Sequence, residues 1–172
     1  PGKEHARRCG DMLIEKKDFS FEIREAKAED WKPAMNMVWK TFLKFEGRDY
    51  TQEGVRNFWD FITDKQLYYA FLDGVYRAWV ATDGKKIIGF ASIRNGNLLS
   101  LLFVDEKYHR LGVGSALIER LCTHLKLDEG LDSIRVKAAP YALDFYKKVG
   151  FTALGEEEHY AGIRVTAMKK SF

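Results

Sequence analysis

Cysteine is scarce in this sequence, long hydrophobic runs are absent, and neither sign of charge dominates. Two cysteines, Cys9 and Cys122, are too few for a disulfide scaffold or a zinc knuckle, which indicates a reducing compartment. No apolar run approaches the ~20 residues that a membrane-spanning helix needs, and no signal peptide opens the chain. The formal net charge is +3, and lysine and arginine are scattered rather than clustered. We therefore expect a cytoplasmic protein that binds neither nucleic acid nor membrane, with enough positive charge to attract an anionic ligand.

The composition that remains is typical of one folded domain. Hydrophobic residues make up 46% of the 172 positions, and charged residues make up 31%. That balance supplies enough apolar surface for a core and excludes a disordered chain. The opening stretch PGKEHARRCGD has no hydrophobic periodicity, so we predict that residues 1–18 form a leader, either a disordered tail or a remnant of cloning. Residues 19–172 are predicted to form a single domain.

The first part of this domain is predicted to be a strand followed by two helices. Residues 20–27 alternate apolar and polar side chains, and residues 29–45 carry an apolar side chain every three or four positions. Thr51 is a suitable N-cap for a second helix with the same spacing. Aromatic side chains are frequent in both helices, and we interpret them as core residues, with a hydrophobic ligand pocket as the alternative. They are Trp31, Trp39, Phe42, Phe45, Phe58, Trp59 and Phe61.

The periodicity then changes to that of β-strands. Three largely apolar segments follow one another at residues 76–82, 86–94 and 97–104. The second turn between them, Asn95-Gly96, is the strongest short-range signal for a β-hairpin. These segments are therefore predicted to form an antiparallel meander.

A strand-helix-strand unit comes next. Residues 113–127 have one apolar helical face, and residues 132–138 form another strand, which the crossover helix should place parallel to strand 97–104. A short helix over 141–149 and a closing hairpin complete the chain. The predicted fold class is α/β (α+β), with a mixed, mostly antiparallel central sheet flanked by helices.

Two glycines lie at the point where strand 97–104 gives way to the helix, in the stretch HRLGVGSAL. Glycine is costly inside regular structure, so Gly112 and Gly114 suggest either a tight turn or a ligand that approaches the backbone. The N–H groups of a first helical turn have no intrahelical partner and attract phosphate. A Walker loop is excluded because no Lys-Ser/Thr pair follows. A dinucleotide fingerprint is disfavoured because Leu117 occupies the place of its third glycine.

The remaining phosphate motif, Q/R-x-x-G-x-G/A, fits with one departure, since His109 occupies the Gln/Arg position. From here the chain resembles the GNAT family of N-acetyltransferases over roughly residues 20–170. The segment LLFVDEKYHRLGVGSALI is similar to motif A of that family. The segment VKAAPYALDFYKKVGF is similar to its motif B, although Ala139 and its neighbours replace a frequent asparagine.

The resemblance implies acetyl-CoA as cosubstrate, with no metal. It implies that strands 97–104 and 132–138 splay apart, that the pantetheine arm fills the gap beside Val104, and that the N–H of Leu102 stabilises the oxyanion. Arg110 would add charge beside the pyrophosphate. The residues that it assigns to cofactor binding are Leu102, Phe103, Val104, His109, Arg110, Leu111, Gly112, Val113, Gly114, Ser115, Ala139 and Tyr146.

Transfer of an acetyl group to an amine needs a neutral amine, a stabilised oxyanion and a proton for the thiolate. The resemblance assigns the proton donor to Tyr146, for which core packing is the alternative. The general base is left open among Glu46, Asp49, His159 and water. His124 lies among polar helix positions and is predicted to be solvated.

Two functions of different classes follow from the resemblance. The first is an acetyl-CoA-dependent N-acetyltransferase that moves acetyl to a primary amine, on a small molecule or a protein, by direct attack in a ternary complex. The second is a noncatalytic acyl-CoA-binding sensor or regulatory module of the same fold, which would keep the glycine loop without needing the acid. A homodimer is left open.

Overall fold

A computed structural model describes residues 19–172 of the chain, so the predicted leader, residues 1–18, lies outside the described residues. The described part contains five helices and eight strands. The helices are α1 (Trp31–Phe45), α2 (Gln52–Thr63), α3 (Lys65–Leu72), α4 (Val113–Leu127) and α5 (Leu143–Lys148). The strands are β1 (Glu22–Glu25), β2 (Arg77–Asp83), β3 (Lys86–Arg94), β4 (Leu98–Val104), β5 (Ser133–Ala138), β6 (Thr152–Ala153), β7 (Glu158–Tyr160) and β8 (Ile163–Ser171).

The strands form one sheet in the order β1-β2-β3-β4-β5-β8-β6, and β7 pairs with β8. Every pairing is antiparallel except that of β4 with β5, which is parallel. The turn at Asn95 and Gly96 has positive φ at both residues, 51° and 86°, as a hairpin of this kind requires. The predicted fold class, the meander and the crossover helix are confirmed. Among residues 19–172, no helix is both long and apolar enough to cross a membrane.

Hydrophobic cores lie on both faces of the sheet, since neighbouring residues of a strand point to opposite faces. Trp79 packs with Leu117 and Leu121 of α4 on one face. Val80, the next residue of β2, packs with Val38 and the other α1 side chains on the opposite face. Both cores are continuous along the central strands, which holds β3 and β4 rigidly in place.

Three details differ from the sequence-based expectations. Helix α3 was not predicted, because eight residues capped by Asp64 are too short to give a clear period. The aromatic side chains of α1 and α2 do not all belong to the core: Phe42 is fully buried, whereas Trp59 is 44% exposed. The prediction that His124 is solvated is wrong, since the residue is only 3% exposed.

The position of His124 on α4 explains its burial. It lies three residues after Leu121, on the apolar face of the helix, and its ring packs 4.9 Å from that of Trp79. Its Nδ1 atom lies 2.9 Å from a carboxylate oxygen of Asp128, so the polar edge of the ring has a partner. Histidine on an apolar face is therefore a core residue here.

Strands β4 and β5 separate soon after they begin. Their parallel pairing covers only Leu98 with Arg135 and Leu99 with Val136. β4 nevertheless stays paired with β3 as far as Val104, and β5 stays paired with β8 as far as Ala138. Each strand is thus fixed on its outer side while a gap opens between them toward the start of α4. The splayed strands predicted from the sequence are present.

Candidate active site

The backbone of β4 directs two residues into this gap. The N–H of Asp105 donates to the carbonyl of Ile88 on β3, at 2.8 Å. Because backbone groups alternate in direction along a strand, Leu102 and Val104 must turn theirs away from β3, toward the gap. The Leu102 N–H is therefore at the edge of the gap. The backbone of Phe103 faces β3, and its ring lies 5.9 Å from that of Phe58, so the structure does not bring Phe103 to the gap.

The side chain of His109 lies at the C-terminal end of the same edge of β4. Its Nε2 atom lies 2.7 Å from the carbonyl oxygen of Val104, and its ring centroid lies 5.0 Å from that of Phe45 on α1. A ligand hydrogen-bonding Val104 would therefore use its N–H or share the carbonyl with His109. Arg110 follows with a left-handed φ of 64° and an exposed side chain, and Leu111 is partly exposed beside it.

The loop reaches α4 through Gly112, whose φ is 87°. A Cβ atom at this position would meet nothing within 4 Å, so the left-handed conformation, not crowding, requires glycine there. Gly112 is the N-cap residue and has no side chain to cap the helix. Within residues 19–172, no side chain accepts a hydrogen bond from the N–H groups of Val113, Gly114 or Ser115. These three donors and the helix dipole suit an anion.

Gly114 is required for a different reason. A Cβ atom there would lie 3.2 Å from Cζ of Phe145, closer than most real contacts. Its absence lets the start of α4 pack against Phe145 of α5, the residue next to Tyr146. The structure thus supplies a packing reason for Gly114, and the approach of a ligand to its backbone stays a prediction. The side chain of Val113 is also buried in the core, at 1% exposure.

Tyr146 is 5% exposed and packs edge-on against Phe145 and Phe151, with ring centroids 5.3 and 5.2 Å apart. Within residues 19–172, no side chain or backbone group hydrogen-bonds its hydroxyl. Burial raises the pKa of this phenol above its ordinary value, and the negative charge of Glu46 raises it further. The hydroxyl is therefore protonated over the whole physiological range. Ala139 is buried at the end of β5, where a short 3-10 turn leads to α5.

Glu46 ends α1, with its N–H donating to the carbonyl of Phe42 at 2.9 Å. Although the residue keeps some exposed surface, protein surrounds its carboxyl group closely. This burial, and the nearby charge of Asp49, raise the pKa of Glu46 to about 7. The Glu46 carboxylate in turn raises the pKa of Tyr146 and of Tyr141, so it lies within electrostatic range of both phenols.

The other two candidate bases each have a charged partner. Asp49 is paired with Arg164, with 3.2 Å between the Oδ1 and Nη2 atoms. The side chain of His159 is 66% exposed and its Nε2 lies 3.0 Å from a carboxylate oxygen of Glu157. Of the three residues, Glu46 is the one with electrostatic coupling to Tyr146. Sequence reasoning could not choose it, because only the tertiary structure brings the end of α1 to α5.

Two cavities lie on the side of α2 and the β7–β8 turn. One of about 230 Å³ is lined by residues of α2, by Leu98–Leu101 of β4, by Arg94 and by Lys137. A second, of about 510 Å³, lies between residues 48–51 and the β7–β8 hairpin and is lined by Asp49, His159 and Arg164, among others. Tyr50 and Ile163 line both cavities, which are therefore neighbours.

Residues 46–172 match the family model described as the acetyltransferase (GNAT) domain. The chain belongs to the GNAT acetyltransferase family. It is 36% identical over 76 residues to the peptidyl-lysine N-acetyltransferase YiaC of Escherichia coli K12, a match that covers 42% of this chain and 48% of the relative. The chain therefore aligns with about half the length of that curated relative.

Solved structures of GNAT proteins share the fold over nearly their whole length. A GCN5-related N-acetyltransferase from Rhodopseudomonas palustris superposes with a TM-score of 0.78 at 23% identity, covering 90% of this chain and 98% of the other. The PaiA N-acetyltransferase of Thermoplasma acidophilum, solved with coenzyme A, gives 0.73 at 18% identity, covering 89% and 99%. The family resemblance recognised from motifs A and B is thereby confirmed.

Proposed function

We propose that this GNAT protein is an acetyl-CoA-dependent N-acetyltransferase that moves acetyl to a primary amine by direct attack in a ternary complex. One observation supports this most strongly. On α5, whose Phe145 packs against the start of α4, the buried and protonated phenol of Tyr146 is coupled to a carboxylate, Glu46, whose pKa is about 7. A pair of groups with pKa values pushed apart in one site is the arrangement that acid–base chemistry at neutral pH needs.

The cofactor side of the site is proposed to bind acetyl-CoA through backbone groups. The N–H groups of Val113, Gly114 and Ser115 would hold the pyrophosphate, and Arg110 would add charge at the rim. The pantetheine arm would lie along Leu102 and Val104 in place of the missing strand pairing. PaiA of T. acidophilum, which shares the fold, was solved in complex with coenzyme A. When bound, acetyl-CoA supplies an acetyl group already activated as a thioester.

The residues of this chain would then manage the protons. Glu46 takes a proton from the incoming ammonium, directly or through water, and leaves a neutral amine that attacks the thioester carbonyl. The Leu102 N–H stabilises the negative charge that develops on the carbonyl oxygen. Tyr146 donates its proton to the departing thiolate and is reprotonated as the new amide loses its second proton. In total, one ammonium group and one acetyl-CoA give one amide, one CoA thiol and one released proton.

The acceptor is proposed to be a primary amine on a small molecule or a protein. The curated relative YiaC is named a peptidyl-lysine N-acetyltransferase, which makes lysine one candidate. The alternative, a noncatalytic acyl-CoA sensor, would bind CoA without needing Glu46 or Tyr146. A cytoplasmic location and the absence of nucleic-acid and membrane partners stay predictions. Whether the protein forms a homodimer is left open.

The test combines binding with turnover. Isothermal titration calorimetry measures the affinity for CoA, and release of free thiol from acetyl-CoA is followed against a panel of small amines and lysine peptides. An enzyme binds CoA and releases thiol in proportion to acetylated amine. CoA binding without turnover of any amine would favour the sensor, and no CoA binding would overturn both.

A further inference from the structure

The 230 Å³ cavity lies in line with the proposed thioester position. Its wall includes Leu98–Leu101, and the next residue of β4 is Leu102, whose N–H faces the gap. β4 and β5 are still paired at Leu98 and Leu99, so the cavity lies at the closed end of the gap, opposite the start of α4. An amine reaching the thioester from this side would leave the rest of its molecule in the cavity.

The charge of this cavity is of one sign. Arg94 and Lys137 line it, and no Asp or Glu occurs among the described residues that do so. The adjoining 510 Å³ cavity has one carboxylate in its wall, Asp49, which is already paired with Arg164. A cationic side chain such as lysine would therefore be disfavoured beside Arg94.

Arg94 is held in position to bind an anion. Its side chain is exposed, and its guanidinium carbon lies 5.5 Å from the ring centroid of Phe61 on α2, a cation–π contact that favours this position. No carboxylate among residues 19–172 forms an ion pair with it. A guanidinium presents parallel N–H donors, which match a carboxylate or phosphate in two-point geometry.

We propose that the acceptor is a small amine that also carries an anionic group, a carboxylate or a phosphate, bound by Arg94 in this cavity. The inference rests on the proposed acetyltransferase function and names its substrate class. The volume fits a small molecule, since it lies below the ~300–1,000 Å³ of pockets for drug-sized ligands. Phe58, Phe61 and Tyr50 add apolar walls that would contact the carbon skeleton.

The test uses amine pairs that differ only in the anionic group: phenylalanine with phenylalaninamide, and phosphoethanolamine with ethanolamine. Calorimetry measures the binding of each amine to the CoA-saturated protein, and thiol release from acetyl-CoA gives KM and kcat. At least one member with the anionic group should bind roughly tenfold to a hundredfold more tightly than the partner that lacks it, as charge-assisted hydrogen bonds allow. The pair that shows the preference identifies the group as carboxylate or phosphate.

Arg94→Gln should reduce that preference to within about twofold by raising KM for the anionic amine, while CoA affinity stays unchanged. Arg56→Gln is the matched control, because Arg56 is exposed and lies on the face of α2 opposite Gly54, Asn57 and Phe58. Equal binding within both pairs in the native protein, or tighter binding of a lysine peptide than of either anionic amine, would overturn the inference. Either result leaves the acetyltransferase proposal standing if CoA binds and any amine is acetylated.

Discussion

At the C-terminal end of β4, one continuous stretch of chain from Val104 to Ser115 supplies nearly all the features suited to an anionic cofactor, and it does so mainly with backbone. At the N-terminal end, side chains from β3, α2, β5 and the β7–β8 turn converge on Leu98–Leu101. The first end resembles its family because a loop and a helix start can be encoded locally. The second depends on tertiary packing, so substrate choice can change there without disturbing the cofactor end.

The largest effect should come from Tyr146 on α5. Tyr146→Phe keeps the ring and its packing but removes the proposed proton donor, so kcat should fall by about 10²–10⁴-fold. CoA affinity by calorimetry should change little, because the proton matters in the transition state. Tyr141→Phe is the control: Tyr141 is also coupled to Glu46 but is 43% exposed. Equal rates for native and Tyr146→Phe, with chemistry rate-limiting, would leave Tyr146 with packing alone.

Removing the proposed base should have the next largest effect. Glu46→Gln should lower kcat/KM by about a hundredfold at pH 8, at the low end for general catalysis because water can replace the carboxylate. The native pH–rate profile should show a break near pH 7, where Glu46 titrates. The Gln variant should lose that break. Its persistence in the variant would transfer the base role to another group.

Glu46 should also leave a signature in stability that needs no substrate. Its raised pKa means that the folded state binds more protons than the unfolded state between about pH 4.5 and 7, so stability falls as pH rises through that window. Glu46→Gln should therefore gain roughly 1–3 kcal/mol over the native protein at pH 8 relative to pH 4. Urea unfolding at the two pH values measures the difference. No pH dependence of that difference would mean that the carboxyl is not buried.

At the cofactor end, Gly114 offers a test of packing in the absence of any ligand. Gly114→Val should destabilise the fold by roughly 1–3 kcal/mol, because its side chain meets Phe145, and Phe145→Leu should reduce that cost. Gly155→Val is the control, since a Cβ atom there meets nothing within 4 Å. Thermal or urea unfolding measures both. A Gly114→Val protein that is as stable as the native one but does not bind CoA would mean that Gly114 makes room for a ligand and not for Phe145.

The smallest effect is expected at Arg110, whose side chain is exposed. Arg110→Gln should weaken CoA binding a few-fold at low ionic strength, and the difference should shrink as salt is added, because exposed charges are screened. Calorimetry at two salt concentrations tests this, with Arg56→Gln as the control. A loss that does not depend on salt would mean that Arg110 shapes the loop instead of supplying charge.

The sequence predicts best what is decided within a few neighbouring residues. The Asn95-Gly96 hairpin, the Thr51 cap, whose hydroxyl accepts from the Gly54 N–H at 3.1 Å, and the helix start at Gly112 all follow from local chemistry. The apolar periods of β2–β4 and α4 then leave few arrangements of the sheet. The role of Glu46 cannot be predicted in this way, because its pKa depends on surroundings that only the folded chain assembles.

Predictions for single residues also fail where the polarity of a side chain conflicts with its position in the fold. His124 is polar but lies on the apolar face of α4, and packing decided its place. Arg94 gives no signal in the sequence, because its relation to Phe61 depends on how α2 crosses the sheet. To predict contacts of this kind, one must know how the helices and strands pack against each other, which the sequence alone does not specify.

The proposal depends most on acetyl-CoA lying in the gap between β4 and β5, and nuclear magnetic resonance can locate it without any mutation. Backbone amide shifts are recorded as CoA is titrated into the native protein. We expect the largest changes at Leu102, Val104 and the first turn of α4, with little change at β1 or α3. Largest changes away from the gap, with these amides unmoved, would contradict it.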